Sequence, residues 1–303
     1  MKKILLTMAI AAATLASAAQ VVEVQSITRV PLQADIHVNT PCISPDGTFA
    51  IVSTNDDNSL CRIDLATGAV STVTDNGSTL RLAFTPDGSS IIFRRATVAN
   101  DHRRFYSVES LDLNGGATRC LAAPARHGAG FSISPRGTLS LNADGRYRAR
   151  ALNPDGLAAE PYAIVNIHYG HLEVTYPDGS TVNLDPQGRG SYLWASLSPD
   201  GKRITYFLVG HGCYVCNLDG SDVRSLGYIH APAWLGNDAI VGCQDYDNGV
   251  YITSSSIVAA DLDGTIQTLT DESIIGINPS ASADAKVITF SDPTGALYVI
   301  NLK

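Results

Sequence analysis

The residues best suited to chemistry in this chain are seven histidines and a few acidic, basic and aromatic clusters. His127, His211 and His230 stand in segments that read as loops or connections, as do His37 and His102. Three imidazoles brought together could hold a transition metal ion. No close His-x-His spacing exists, so convergence depends on the fold. The stretch Gln244-Asp245-Tyr246-Asp247-Asn248-Gly249 offers carboxylate oxygens of the kind that bind calcium, as does Asn55-Asp56-Asp57-Asn58. Neither has the distal Glu of the twelve-residue calcium loop, and each also reads as a solvated turn. Arg94, Arg95, Arg103 and Arg104 form the one basic concentration, suited to an acidic partner or a carboxylated ligand, or simply to a long hairpin loop. Tyr192 and Trp194 could stack on a sugar or peptide, or pack between structural units.

Nucleophilic catalysis has no evident seat. No Gly-x-Ser-x-Gly pentapeptide, the strand-to-helix elbow of serine hydrolases, is present. Cys213 and Cys216 have redox-motif spacing, but residues three apart in a strand face opposite sides. They read as small buried hydrophobes, and the six cysteines as mostly free thiols. The candidate ligand-binding set is therefore Tyr192, Trp194, His127, His211, His230, Arg94, Arg103, Asp245, Tyr246 and Asp247, with no catalytic residue assigned.

The elements that must position these side chains are short strands. No long 3.6-residue periodicity is visible, and Gly, Ser, Thr, Asp and Val dominate. One turn recurs as Ser44-Pro45-Asp46-Gly47, Thr85-Pro86-Asp87-Gly88, Ser134-Pro135-Arg136-Gly137 and Ser198-Pro199-Asp200-Gly201. Degenerate copies follow at 235–238 and 282–285. Proline presets the second turn position and glycine supplies the positive φ needed later. Ahead of each turn runs a column of small residues, Cys42, Ala83, Ser132, Ser196, Ala233 and Ser280, suited to strands crowded around an axis. A second register, as in Ile63-Asp64-Leu65, Leu111-Asp112-Leu113 and Ala260-Asp261-Leu262, leads into an Asx turn.

A repeat of about 40–50 residues built of such strands indicates a β-propeller. Residues 20–38 are expected as a closing strand and lead-in. Blades are expected at about 39–79, 80–125, 126–189, 190–228, 229–273 and 274–303. The last repeat has only three strands, so the strand-like residues 21–32 are predicted to close the ring by pairing with residues 296–302. The widest interval, between the third and fourth turns, holds extra hairpins. It reads first as one enlarged blade of six, with seven blades as the alternative.

The Ser-Pro-Asp-Gly repeats followed by an apolar strand resemble the WD40-like Pro-Asp repeat of TolB-type propellers and of dipeptidyl peptidase IV propeller domains. The likeness covers about residues 40–303. It implies an all-β propeller, and through TolB a periplasmic protein-interaction platform. Oligogalacturonate lyases are similar propellers with a histidine-rich metal site, so the resemblance also implies a rival reading as a metal-dependent polysaccharide lyase.

Residues 1–19 have the basic, apolar and small-residue regions of a cleavable signal peptide, which places the remainder in the periplasm or outside the cell. The apolar region is too short to span a bilayer, and no later segment approaches a membrane span. Asp and Glu outnumber Lys and Arg, 29 to 21, and loss of Lys2 and Lys3 with the leader deepens the imbalance. Nucleic acid is therefore a poor partner. The expected function is a non-catalytic envelope module for a protein, glycan or peptide ligand. The alternative is an extracytoplasmic metal-dependent carbohydrate-active enzyme. No cofactor is expected, with calcium or a transition metal left open by the acidic loops and histidines.

Overall fold

A computed structural model describes residues 20–54, 59–75, 78–152 and 159–303, with side chains left aside at 78–80. The leader expected over residues 1–19 and the acidic stretch 55–58 lie outside the described residues. Within them every regular element is a strand, and no helix long and apolar enough to cross a membrane occurs.

The strands form seven antiparallel sheets. The first holds β2 (Pro41–Ile43), β3 (Phe49–Ser53), β4 (Leu60–Asp64) and β5 (Val70–Thr74). The second holds β6 (Ser78–Phe84), β7 (Ser90–Val98), β8 (Arg104–Asp112) and β9 (Thr118–Ala125). The third has β10 (Gly130–Ile133), β11 (Thr138–Ala143) and β12 (Arg146–Ala151), and the fourth β13 (Ile164–His168), β14 (His171–Thr175) and β15 (Thr181–Asn183). The fifth has β16 (Tyr192–Leu197), β17 (Arg203–Leu208), β18 (Gly212–Asn217) and β19 (Arg224–Gly227). The sixth has β20 (His230–Leu235), β21 (Ala239–Asp247), β22 (Ile252–Asp261) and β23 (Ile266–Thr268). The seventh combines β24 (Ile277–Ala281), β25 (Val287–Ser291) and β26 (Leu297–Leu302) with the N-terminal β1 (Val24–Arg29).

The inner strands β2, β6, β10, β13, β16, β20 and β24 touch in turn, and β24 returns to β2. That closed ring is a β-propeller. Its closure is the predicted one: β1 lies antiparallel to β26, with Ile27 opposite Ile300 and Arg29 opposite Tyr298. The interval first read as one enlarged blade contains, among the described residues, two three-stranded sheets.

The Pro-Asp-Gly turn is built by its first residue as much as by proline and glycine. Ser44 Oγ donates to Asp46 Oδ1 at 2.6 Å and accepts the Phe49 amide at 3.1 Å. Thr85, Ser198 and Ser282 repeat both bonds, at 2.6 and 3.0 Å. A buried hydroxyl thus satisfies a strand amide that the turn would otherwise leave unpaired. The degenerate copies are true turns: Gly236 has φ +65° and Ala285 takes the left-handed conformation at +58°.

These bonds, and those of the Asx turns, should make the ring acid-sensitive. The Thr85 hydroxyl, against some burial and with the Ser89 amide, holds the Asp87 carboxyl below the usual carboxylate range. The Thr67 hydroxyl and amide do the same for Asp64. A carboxyl depressed in the folded state contributes stability above its unfolded pKa and loses it as pH falls through the folded value. The melting midpoint should therefore be flat from neutrality down to about pH 5 and fall below about pH 4. A midpoint that holds constant down to about pH 2 would contradict this.

Apolar clusters fill the spaces between adjacent sheets. Phe49, Ile51, Ile91 and Phe93 join the first to the second. Ile92, Val108, Leu139 and Leu141 join the second to the third. Four more clusters serve the fourth-to-fifth, fifth-to-sixth, sixth-to-seventh and seventh-to-first spaces. Cys213 and Cys216 are buried in different clusters on opposite sides of their sheet, as their spacing predicts. The described cysteines are free thiols, and burial pushes Cys213 and Cys216 up to about 12.

The third-to-fourth space differs. Among the described residues it is bridged mainly by hydrogen bonds: Ser132 Oγ to the Ala163 carbonyl at 2.8 Å, Asn142 Nδ2 to Thr175 Oγ1 at 3.1 Å, and Tyr147 Oη to the Tyr162 carbonyl at 2.8 Å. The reason lies in strand direction. β24 and β2 run alongside in parallel, with Asn278 reaching Asn39 and Ser280 reaching Ile43. β13 runs opposite to β10, since a Cβ on Gly130 would meet Asn166 while Ser132 meets Ala163. Among the described residues the third sheet has no outer strand, and β13, innermost in the fourth, runs opposite to the other inner strands, so the chain regains its phase by β16.

Candidate functional site

Alternation of strand direction puts the Pro-Asp-Gly turns on one face of the ring. The entries to the inner strands and the long β7–β8 and β21–β22 hairpins lie on the other, the loop face. Reversal of β13 sends its hairpin with β14 to that face as well.

One cluster forms over the fifth and sixth sheets. The β16–β17 register shifts between Leu193 and Ser196, and Trp194 sits in the shift at φ +48°. Ala231 in β20 and Asn278 in β24 occupy matching shifts at +46° and +52°. The bulge is thus a device of the repeat, and in β16 it turns an indole outward. The Trp194 ring lies 5.4 Å from Phe207 and 5.4 Å from His230. His230 also meets Phe207 at 4.6 Å and Tyr228 at 4.8 Å. Asp245, from β21, pairs with His230 Nδ1 and fixes the ring orientation. Nε2 is then the nitrogen available to a ligand. The cluster can therefore stack on a flat or apolar group and offer one oriented imidazole.

A second cluster stands above the third and fourth sheets. His127, just ahead of β10, meets His168 at 5.2 Å and Tyr169 at 5.4 Å, while His168 and Tyr169 stack at 4.5 Å. Tyr169 is held at φ +52° in the β13–β14 turn. His168 Nδ1 lies 3.3 Å from Glu173 Oε2. Arg94 spends two N–H groups on the Ala129 carbonyl, at 3.2 and 2.8 Å.

The remaining candidates stand apart from a site. Tyr192 is fully buried, and its hydroxyl accepts the Gln187 amide at 3.0 Å and donates to the Gly188 carbonyl at 2.9 Å. It presents no face to a ligand. His211 is exposed at the β17–β18 turn, and Arg103 is neutralised by Asp101 in an exposed hairpin loop. Asp247 accepts the Gly249 amide at 2.7 Å, so the acidic loop spends its carboxylates on His230 and on its own turn. Tyr246 is exposed on the hairpin. His127, His211 and His230 do not form a metal group, and among the described residues no group of three or more His, Cys, Asp or Glu is placed to hold a metal ion.

Phe207, Tyr228, Tyr169 and Glu173 join these clusters without having stood out as candidates. One signal for the fourth sheet was in the sequence. Tyr176-Pro177-Asp178-Gly179 repeats the turn motif between β14 and β15, with Ser180 Oγ donating to Asp178 at 2.6 Å.

Comparison with protein-family models and with curated protein sequences finds no match. Solved structures are similar over most of the chain. A TolB-designated protein from Agrobacterium tumefaciens aligns with 17% identity and a TM-score of 0.57, covering 91% of this chain and 96% of its own. The Swd1 propeller domain of Myceliophteria thermophila aligns with 10% identity and a TM-score of 0.57, covering 93% and 100%. An oligogalacturonate lyase from Vibrio parahaemolyticus aligns with 12% identity and a TM-score of 0.50, covering 91% and 93%. At such identities the likeness speaks for fold alone. The chain has the β-propeller fold of TolB-like and WD40-like domains.

Proposed function

We propose that the chain is a non-catalytic binding module of the periplasm or extracellular space, which engages a protein partner through its loop face over the fifth and sixth sheets. The observation that carries this reading is the placement of exposed apolar side chains. Leu193, Trp194, Val209 and Tyr228 lie at the loop-face ends of the fifth sheet and its exit, and Tyr246, Val250 and Tyr251 on the β21–β22 hairpin. Val98 and Tyr169 are on the same face, and of the exposed large apolar residues among the described ones only Ile27 and Val182 lie elsewhere. Concentration of Trp and Tyr on one face is the composition of a protein-binding surface, not of random exposure. The leader-like residues 1–19 and the likeness to a TolB-designated propeller support an extracytoplasmic location. The lyase reading asked for convergence of His127, His211 and His230, and no specific observation favours it.

The test is retention from envelope extract on immobilised protein, wild type against the Trp194→Ala/Tyr228→Ser double variant. Aromatic anchors of this kind each contribute about 2 kcal/mol, so the double variant should lose at least about tenfold in partner affinity while keeping its fold. Equal retention by both, or release of cleaved glycan by the wild type alone, would overturn the reading.

A further inference from the structure

The polar space between the third and fourth sheets opens to solvent as a pocket of about 170 Å³. Its wall includes Arg94, His127, Asn142, Asp144, His168 and Glu173. At about 30 Å³ per water it has room for only a few solvent molecules, the size of a small molecule or of one end group of a larger one.

Its two sides carry opposite demands. On one side stands the Arg94 guanidinium. Two of its N–H groups are spent on Ala129, and among the described residues no carboxylate pairs with it. Burial and the neighbouring charge of Arg81 lower its pKa to about 10, so it remains a cation at neutral pH with its charge uncompensated. A sheltered guanidinium of this kind calls for an anion, and its remaining N–H fork suits a carboxylate. The other side is made of acceptors. Asn142 Nδ2 is used on Thr175, while its Oδ1 is buried without a donor. Asp144 projects from the β11–β12 turn without an ion pair among the described residues, and Glu173 lies against His168. His168 Nε2 is also sheltered without a partner.

A carboxylate alone would share the pocket with the Asp144 and Glu173 carboxylates, and a cation alone would leave Arg94 uncompensated. One small molecule with both groups on adjacent atoms meets both demands. We propose that this cavity binds a free α-amino acid, its carboxylate on Arg94 and its ammonium group among Asn142, Asp144 and Glu173. Neither Trp194 nor Tyr228 lines the cavity, so this site and the partner-binding face stand or fall separately.

The experiment is a thermal-shift screen and calorimetric titration of the purified chain with the common free L-amino acids. The N-acetyl and C-amide derivatives of any that bind are titrated alongside. At least one free amino acid should raise the melting midpoint and bind, and either derivative should weaken binding at least tenfold. Arg94→Gln, shown to be folded by circular dichroism, should lose at least tenfold in affinity. Asp144→Asn, at an exposed left-handed turn position that Asn tolerates, should lose severalfold for the free amino acid only. Absence of binding by every amino acid overturns the proposal, and so does equal binding of the acetylated or amidated forms. If Arg94→Gln does not fold, the derivatives and Asp144→Asn still decide.

Discussion

A chain lacking residues 20–29 is expected to melt about 10 °C below the chain that keeps them, and to aggregate as its concentration rises. These residues supply the outer strand of the seventh sheet. β1 is largely exposed, so its contribution is mainly edge pairing. It satisfies the backbone of β26, and the Lys303 amide donates to the Glu23 carbonyl at 3.0 Å. Ahead of β1, the amides of Val21 and Val22 donate to Gln267 Oε1 at 2.7 and 2.9 Å, tying it to the sixth sheet. Val21, Val22 and Val24 pack against the core of the sixth and seventh sheets. A handful of backbone bonds at about 1 kcal/mol each, plus this partial burial, amounts to about 3–5 kcal/mol. That is a large share of the 5–15 kcal/mol typical of a domain, where about 2–4 °C follow each kcal/mol. The exposed edge of β26 would then recruit strands from other molecules. A synthetic peptide of residues 20–29 added in trans should restore the midpoint. A truncated chain that melts with the full one would refute the closure argument.

Replacement of Phe207 by alanine has the next largest expected effect, and it links stability to the loop face. Phe207 is 2% exposed and packs with Cys213, Val215, Ile229 and Ile240 between the fifth and sixth sheets. Its ring also supports Trp194, Tyr228 and His230 from beneath. The alanine variant should lose about 3–5 kcal/mol in urea unfolding, from lost transfer energy plus a cavity. Phe207→Leu keeps most of the volume and should lose about 1–1.5 kcal/mol, yet still weaken partner binding because edge-to-face contacts with the surface rings are gone. If the leucine variant binds its partner as the wild type does, the three surface rings do not depend on this support.

Much of the architecture was legible because its signals are local. Ser44-Pro45-Asp46-Gly47 and its copies encode a turn within a few residues, and the turn fixes which strands pair. The Asx turn after β4 is equally local: Asp64 Oδ1 accepts the Ala66 and Thr67 amides at 3.1 and 2.8 Å. The site was less legible because it depends on parity and on long-range contact. Tyr192 and Trp194 are two residues apart, so unbroken alternation would place them on one side of the strand. The bulge at Leu193 to Ser196 breaks the alternation, burying Tyr192 and exposing Trp194. Nothing in hydrophobic periodicity marks that shift. His127 and His168 meet only because β13 runs against its neighbours.

That reversal bears on stoichiometry. A ring of equivalent blades would offer the same crevice at every joint, and a ligand fitted to one would occupy them all. Here the joint between the third and fourth sheets is chemically singular, with hydrogen bonds where the other joints have apolar cores. A molecule recognised there binds once per ring. The irregular repeat therefore gives a cyclic scaffold a single address, and a titration at that address should saturate at one equivalent.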